Sequence, residues 1–299
     1  MGKCEKGMRL DVFLCRRLKL SRRQVRQLLG RGQVAVDRHR VALTDKGKRL
    51  EPEQMITVAA TDHEQVIPDA RCTLRILAEA EGCVVVDKPA GVAVHPLEPD
   101  ETGSVLNALM KRYPQIDGVG EGGLRSGVVH RLDVDTSGCL IVATQQTTWR
   151  TLRCAFSQHR TNKQYRAIVH GRLTGEGRLS MMLTVTQHRP ARVRVVEPRS
   201  AGRHANVRWC ALTWRAVQTL DEATLIEVQL DTGFLHQIRV MMAHLGHPVF
   251  GDRVYGKTQA AAPRHMLHAW SIGTESIAAV SPDPPDFYNM LAVLGMGSG

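Results

Sequence analysis

Leu10, Phe13, Leu14 and Leu18 recur at helical spacing, and that rhythm predicts a first short helix. Ser21, with Gln24 three residues on, has the form of a capping box opening a second helix that Gly30 or Gly32 would close. Small strand-like runs follow at 33–36, 41–43 and 55–59. The polar stretch 61–71, which holds Pro68, reads as a linker. Past it the period switches repeatedly. Cys83 to Asp87 is an apolar strand ending in the turn Lys88-Pro-Ala-Gly91, and Gly103 to Tyr113 is helical, with Val105, Leu106, Leu109 and Met110 on one side. Val128-Val129 and Cys139 to Ala143 look like buried strands, and Thr147 to His159 like a helix. Lys163 to Val169 and Thr224 to Leu230 alternate as strands do, and Gln237 to Leu245 returns to helical spacing. No fixed-period repeat interrupts this order, and Gly295 to Gly299 reads as a loose tail.

With 299 residues, 43% of them hydrophobic, the chain can bury a core in more than one domain. Its net charge of +11 points to an anionic partner. The distribution narrows this reading: residues 1–60 hold 15 Lys/Arg against 6 Asp/Glu, whereas the remainder is close to balance. A basic N-terminal unit suits docking on a polyanion while the rest does chemistry. Arg22, Arg23 and Arg26 put three cations within little more than one turn of the second helix. Such a helix is built to face phosphates, a solvated face being the plainer alternative. Seven cysteines form no Cys-x-x-Cys pair, which fits a reducing compartment and argues against structural zinc. Without a membrane-length apolar run or a signal-peptide stretch, a cytoplasmic protein is expected.

The densest chemistry lies in Gly127-Val-Val-His-Arg-Leu-Asp-Val-Asp-Thr-Ser-Gly138, a charged cluster between apolar runs. Charge at the mouth of a packed sheet needs a reason, because burying an unpaired carboxylate is costly. On the residues alone, Asp133 and Asp135 have equal claim to a role. A single carboxylate acting as nucleophile or base needs a cation beside it. Other chemistries fit less well. His244-x-x-His247 and His265-x-x-His268 lack an acidic third ligand, so no metal is expected, and no phosphate-binding glycine loop leads into Lys-Ser/Thr. Asp133-Val-Asp-Thr136 resembles the nucleophile loop of haloacid-dehalogenase-type phosphatases, and Gly251-Asp252 their late acidic motif. That match breaks at Gly256 and at His130-Arg131.

Two resemblances account for more. Arg9-Leu-Asp-Val-Phe-Leu14, Leu20-Ser-Arg-Arg-Gln-Val25 and Gly32-Gln-Val-Ala-Val36 resemble the small RNA-binding domain first named in the ribosomal protein S-four. His130-Arg-Leu-Asp-Val-Asp-Thr-Ser-Gly138 resembles, without a gap, the central motif of the RluA-type RNA pseudouridine synthases. Further stretches match in order: Lys88-Pro-Ala-Gly-Val-Ala-Val-His-Pro96, Lys163-Gln-Tyr-Arg-Ala167, His236-Gln-Ile-Arg-Val240, Ala243-His-Leu-Gly-His-Pro248, Gly251-Asp-Arg-Val-Tyr-Gly256 and Leu267-His-Ala269.

The resemblance implies an α+β protein: a small basic RNA-binding domain (8–60), a linker (61–71), a catalytic domain (72–290) and a tail (291–299). The catalytic domain is expected to hold a central mixed, largely antiparallel sheet flanked by helices. Carried over by position, the family's nucleophilic aspartate falls on Asp133, its active-site tyrosine on Tyr165 and the arginine paired with the aspartate on Arg239. The implied reaction detaches uracil from its ribose, turns it and rejoins it through carbon five, with no cofactor and no metal. Asp133 would attack sugar or base, or draw off a sugar proton. Tyr165 would stack on the uracil and assist proton removal.

The target uridine must leave its helix to react. Arg131, two residues before Asp133 on the same side of an extended segment, is the candidate to fill the vacated space or grip a phosphate; a structural salt bridge with Asp135 or another acid is the alternative. His130 and Lys163, within the matched motifs, join it as expected RNA contacts, with Arg22, Arg23 and Arg26. Ribosomal RNA is expected ahead of transfer RNA, and a monomer with no membrane attachment. One departure stands out: Phe234 and Leu235 occupy positions where the family has Arg and then Thr or Lys, and Met241 one that is often His. These leave open a protein that binds RNA in ribosome assembly without catalysis.

Overall fold

A computed structural model describes residues 7–296 apart from 19, 21, 31, 60–64, 70, 72, 189, 204–205 and 257–261. The chain divides into two compact units, Met1–Glu64 and Gln65–Gly299.

In the smaller unit, helices α1 (Leu10–Leu18) and α2 (Arg22–Gly30) accompany strands β1 (Val34–Val36), β2 (His39–Arg40) and β3 (Ile56–Val58), in the antiparallel order β2-β1-β3. Leu10 and Leu14 of α1 meet Val25, Leu28 and Leu29 of α2 over Val34 and Val36, one apolar face per element. The expected capping box at Ser21 and Gln24 lies outside the described residues. The predicted stop is present: Gly32 N–H bonds the Leu29 carbonyl and Gln33 N–H the Leu28 carbonyl, with Gly32 at φ +64°. This paired closure needs a left-handed residue, which glycine adopts without strain. The strand expected at 41–43 is displaced to His39–Arg40. Asp37 and Arg38, both at positive φ, make a two-residue hairpin turn with no glycine to signal it.

The larger unit is built on one sheet. Its strands are β4 (Arg75–Ala80), β5 (Cys83–Lys88), β6 (Ser137–Ala143), β7 (Asn162–His170), β8 (Glu176–His188), β9 (Ala191–Val196), β10 (Arg208–Thr219), β11 (Ala223–Leu230), β12 (Leu267–Gly273) and β13 (Ala278–Val280). The order is β4-β5-β6-β12-β7-β11-β10-β8-β9, with β13 beside β12. Every described pairing is antiparallel except β6 with β12, where His268 faces Ser137 and Ala269 faces Gly138. The sheet is therefore mixed and largely antiparallel, as the resemblance implied.

Helices α3 (Val105–Arg112), α4 (Gln146–Ser157), α5 (Gln237–His244) and α6 (Pro285–Met296) flank it. Strands β5 and β6 read as unbroken apolar runs because both their faces are covered. Val84, Val86, Leu140 and Val142 pack with α3, while Val85, Cys139 and Ile141 pack with Leu152 of α4. Strand β7 alternates, so Lys163, Tyr165, Ala167 and Val169 share the buried face that meets the core around α5.

Three expectations are corrected. Residues 128–129 form no strand; Val128 makes one isolated bridge to Val142. Within the expected linker, Val66 is buried and Asn107 Nδ2 donates to the Ile67 carbonyl, so these residues belong to the larger unit. Residues 291–296 continue α6 rather than forming a tail, because Phe287 and Met290 are buried against Ile168 and Phe250.

Candidate active site

Asp133 stands at the head of a turn just before β6, and the protein holds that turn with buried cations. Lys88, fully buried at the end of β5, donates from Nζ to the carbonyls of Pro89, Val92 and Val134 at 2.7–2.8 Å. Arg264 donates from Nη1 to the Asp135 carbonyl at 2.9 Å and from Nη2 to Ser137 Oγ at 3.1 Å. Its guanidinium is fixed in turn by Asp286 of α6, Nε to Oδ2 at 2.6 Å. Thr136 N–H bonds the Asp133 carbonyl, and Thr136 Oγ1 lies 2.9 Å from His265 Nε2. Gly138, at φ +110°, lets the segment enter β6 where any Cβ would overlap the Ala269 carbonyl.

The side chain of Asp133 meets Arg239 of α5, Nη1 to Oδ2 at 2.8 Å. The rest of that guanidinium is taken by Asp252, Nε to Oδ2 at 2.7 Å and Nη2 to Oδ1 at 2.9 Å, a two-pronged bond. Asp252 also accepts the backbone N–H groups of Val254 and Tyr255. Burial opposes charge on both partners. The Asp252 bonds outweigh it and raise the Arg239 pKa, and the Arg239 and backbone bonds lower that of Asp252. One cation thus carries a fully buried carboxylate as its anchor and a second, 19% exposed, as the group it presents.

Around this pair stand three further groups. Tyr165 is buried on β7; burial raises its phenol pKa, and the nearby Asp133 charge adds to the shift, so the hydroxyl stays protonated. His265 is pushed down to about 4 by burial, with the Arg239 charge adding. His236, the left-handed residue that opens α5, places Nε2 3.9 Å from Asp133 Oδ2, and its Nδ1 lies 2.8 Å from Tyr255 Oη.

RNA pseudouridylate synthase is the family that matches residues 82–244, more than half of the chain. The chain belongs to that family. The S4 domain matches residues 8–56, the small basic unit. An uncharacterized RNA pseudouridine synthase of Synechocystis sp. is 32% identical, covering 96% of this chain and 89% of the relative. The ribosomal large subunit pseudouridine synthase D of Nitrosomonas europaea is 33% identical, covering 89% and 76%. Human RNA pseudouridylate synthase domain containing 1 shares the fold, with a TM-score of 0.59 at 24% identity, over 73% of this chain and 86% of that one. The protein is an RNA pseudouridine synthase, an isomerase acting on RNA.

The structure brings Asp133, Tyr165 and Arg239 together and separates the expected RNA contacts into two kinds. Arg131, Arg22 and Arg26 are exposed; the side chain of Arg23 lies outside the described residues. His130 and Lys163 turn inward instead and make protein contacts. His130 Nε2 accepts the Ile141 backbone N–H at 3.0 Å while its ring stacks on Phe156, and burial pushes its pKa down to about 3. The proton of this neutral ring is therefore on Nδ1. Lys163, 6% exposed, gives Nζ to the Thr232 carbonyl, and burial lowers its pKa. Phe234 and Leu235 pack partly buried against the core of Ile238, Met241 and Met242.

Sequence reasoning missed Asp252, Lys88 and Arg264 as parts of the site. The first two lie in matched motifs, but motif identity does not say which side chain a buried cation meets. Arg264 lies outside every matched motif, and its partner Asp286 sits on an unpredicted helix. A cleft of about 620 Å³ on the opposite face of the sheet, near Gln164, Arg215, Glu227 and Trp270, stands apart from these groups. Its Arg215 is already paired with Glu227 at 2.7 Å. Among the described residues, no helix is long and apolar enough to cross a membrane.

Proposed function

We propose that this enzyme converts uridine to pseudouridine in large-subunit ribosomal RNA, with Asp133 as the nucleophile. The carboxylate on Arg239 carries the reading: Oδ2 is held by Nη1 at 2.8 Å while the side chain remains partly open. Isomerisation breaks the bond from ribose C1′ to N1 and forms one from C1′ to C5; the C5 proton leaves and N1 gains a proton. No electrons are exchanged with a second reactant. Arg239 orients Asp133 for its part in that exchange and is itself kept charged by Asp252. A neutral, buried Tyr165 suits a surface on which the uracil stacks better than it suits a base. Arg131, exposed two residues before Asp133, suits the space left by the extruded nucleotide or its phosphate. The small unit, with Arg16, Arg17, Arg22 and Arg26 exposed on its helices, would supply sequence-independent affinity for the RNA backbone.

The preference for ribosomal over transfer RNA rests on relatives named for the large ribosomal subunit, including those of Nitrosomonas europaea and Zymomonas mobilis. Mapping pseudouridines in both RNA pools, with and without this gene, tests it. Loss of a site in large-subunit RNA alone supports the proposal, and loss confined to transfer RNA overturns the substrate. Unchanged maps in both pools would favour the alternative of an RNA-binding protein without catalysis.

A further inference from the structure

The two ring nitrogens of His236 are unequally placed. Tyr255 Oη accepts the backbone N–H of Val193 at 2.8 Å, which leaves the phenolic proton free to be donated. The atom it faces is His236 Nδ1, at 2.8 Å. A ring that accepts at Nδ1 carries its proton on Nε2, and Nε2 is the nitrogen directed at Asp133 Oδ2. The Tyr255 ring is also held, since it lies under the Arg239 guanidinium at 5.3 Å. The groups facing His236 are thus Tyr255, Asp133, Arg239 and Asp252. Burial keeps the imidazole neutral, and Asp133 and Asp252 on one side and Arg239 on the other pull its protonation in opposite directions.

We propose that His236 is a positioning residue for Asp133, its tautomer set by Tyr255 so that an N–H points at the carboxylate oxygen already held by Arg239. Two donors on Oδ2 leave Oδ1 as the oxygen that reacts. At 3.9 Å the contact is longer than a hydrogen bond in the free enzyme, and it closes when the uridine enters and displaces solvent. His236 holds this place with a left-handed backbone, φ +53°, at the start of α5. This inference rests on Asp133 being the reacting carboxylate, as proposed above.

The test combines a spectroscopic and a kinetic readout on the full chain. Nitrogen–proton correlation spectra of histidine-labelled enzyme should show His236 protonated at Nε2 alone, and Tyr255→Phe should turn that resonance into a mixture of tautomers. His236→Asn, which tolerates the left-handed backbone and removes the Nε2 donor, should lower kcat at least tenfold while KM stays within twofold. Tyr255→Phe should lower kcat three- to tenfold, and the double variant should be no slower than His236→Asn. An imidazolium or an Nδ1–H tautomer in the wild type would overturn the proposal without touching the assigned function. So would wild-type kcat in His236→Asn, or an effect on KM alone. If the wild type forms no pseudouridine while the Nε2 tautomer is present, the assigned function fails instead.

Discussion

Arg239 holds two aspartates that share a functional group and differ in surroundings. Asp252 is fully buried, bonded through both oxygens and capped by two backbone N–H groups. Asp133 is bonded by the guanidinium through one oxygen, sits in a segment without regular structure and stays partly open. Burial and full pairing make the first a foundation, because a charge in that environment is stable only while its partner remains. Partial exposure and a spare oxygen suit the second to the role proposed for it. The comparison teaches that the cation is shared by division of labour rather than by symmetry.

Exchanging the two roles should fail in different ways. Asp133→Asn is expected to remove pseudouridine formation by roughly 10³-fold or more in single-turnover assays, while thermal unfolding and RNA affinity stay close to wild type. Activity within tenfold of wild type would break the division. Asp252→Asn should show the opposite signature first: a loss of stability of about 3–5 kcal/mol from the unpaired buried cation, read by denaturant unfolding, with activity falling as Arg239 loses its orientation. A stability change below about 1 kcal/mol would mean that Asp252 is no anchor.

Acid sharpens the same contrast. His265 and His130 are held neutral, at about 4 and about 3, whereas in the unfolded chain they take up protons near 6.5. The unfolded state then binds more protons as pH falls through that window. Stability should drop by up to about 1.4 kcal/mol per pH unit for each group below pH 6.5, and the depressed Asp252 extends the loss below its ordinary value of 3.8. A stability profile flat from pH 7 to 5 would contradict this. The smallest effect is expected on the surface. Arg131→Ala should weaken RNA binding with stability within about 0.5 kcal/mol of wild type, and Arg26→Ala should reduce the salt slope of binding by about one ion.

What could be read in the sequence follows physical lines. Helices α3, α4 and α5 announce themselves by apolar spacing, and β5, β6, β7 and β11 by continuous or alternating apolar runs. Strands β8, β9 and β10 were not read, although Arg178, Arg192, Arg194, Arg208 and Arg215 stand exposed beside their buried apolar positions. Asp133, Tyr165 and Arg239 were legible because the chemistry constrains residue types locally in each motif. For His130 and Lys163, whose polar atoms meet the protein itself, a motif marks the residue without saying whether RNA or the fold requires it. Lys88 and Arg264 hold the Asp133 turn from 46 and 129 positions away, and no local pattern encodes partners that distant; Asp252 is only 13 positions from Arg239, but its motif does not name the cation it meets.

The grip of Arg264 on the Asp135 carbonyl spans 129 positions along the chain. A polypeptide emerging from the N-terminal end therefore presents the Asp133 motif long before the residue that clamps it, and longer still before Asp286 secures that clamp. Closing so distant a contact is slow and waits on most of the sheet. The turn that carries Asp133 is thus made early in the chain and clamped only once residues 264 and 286 exist.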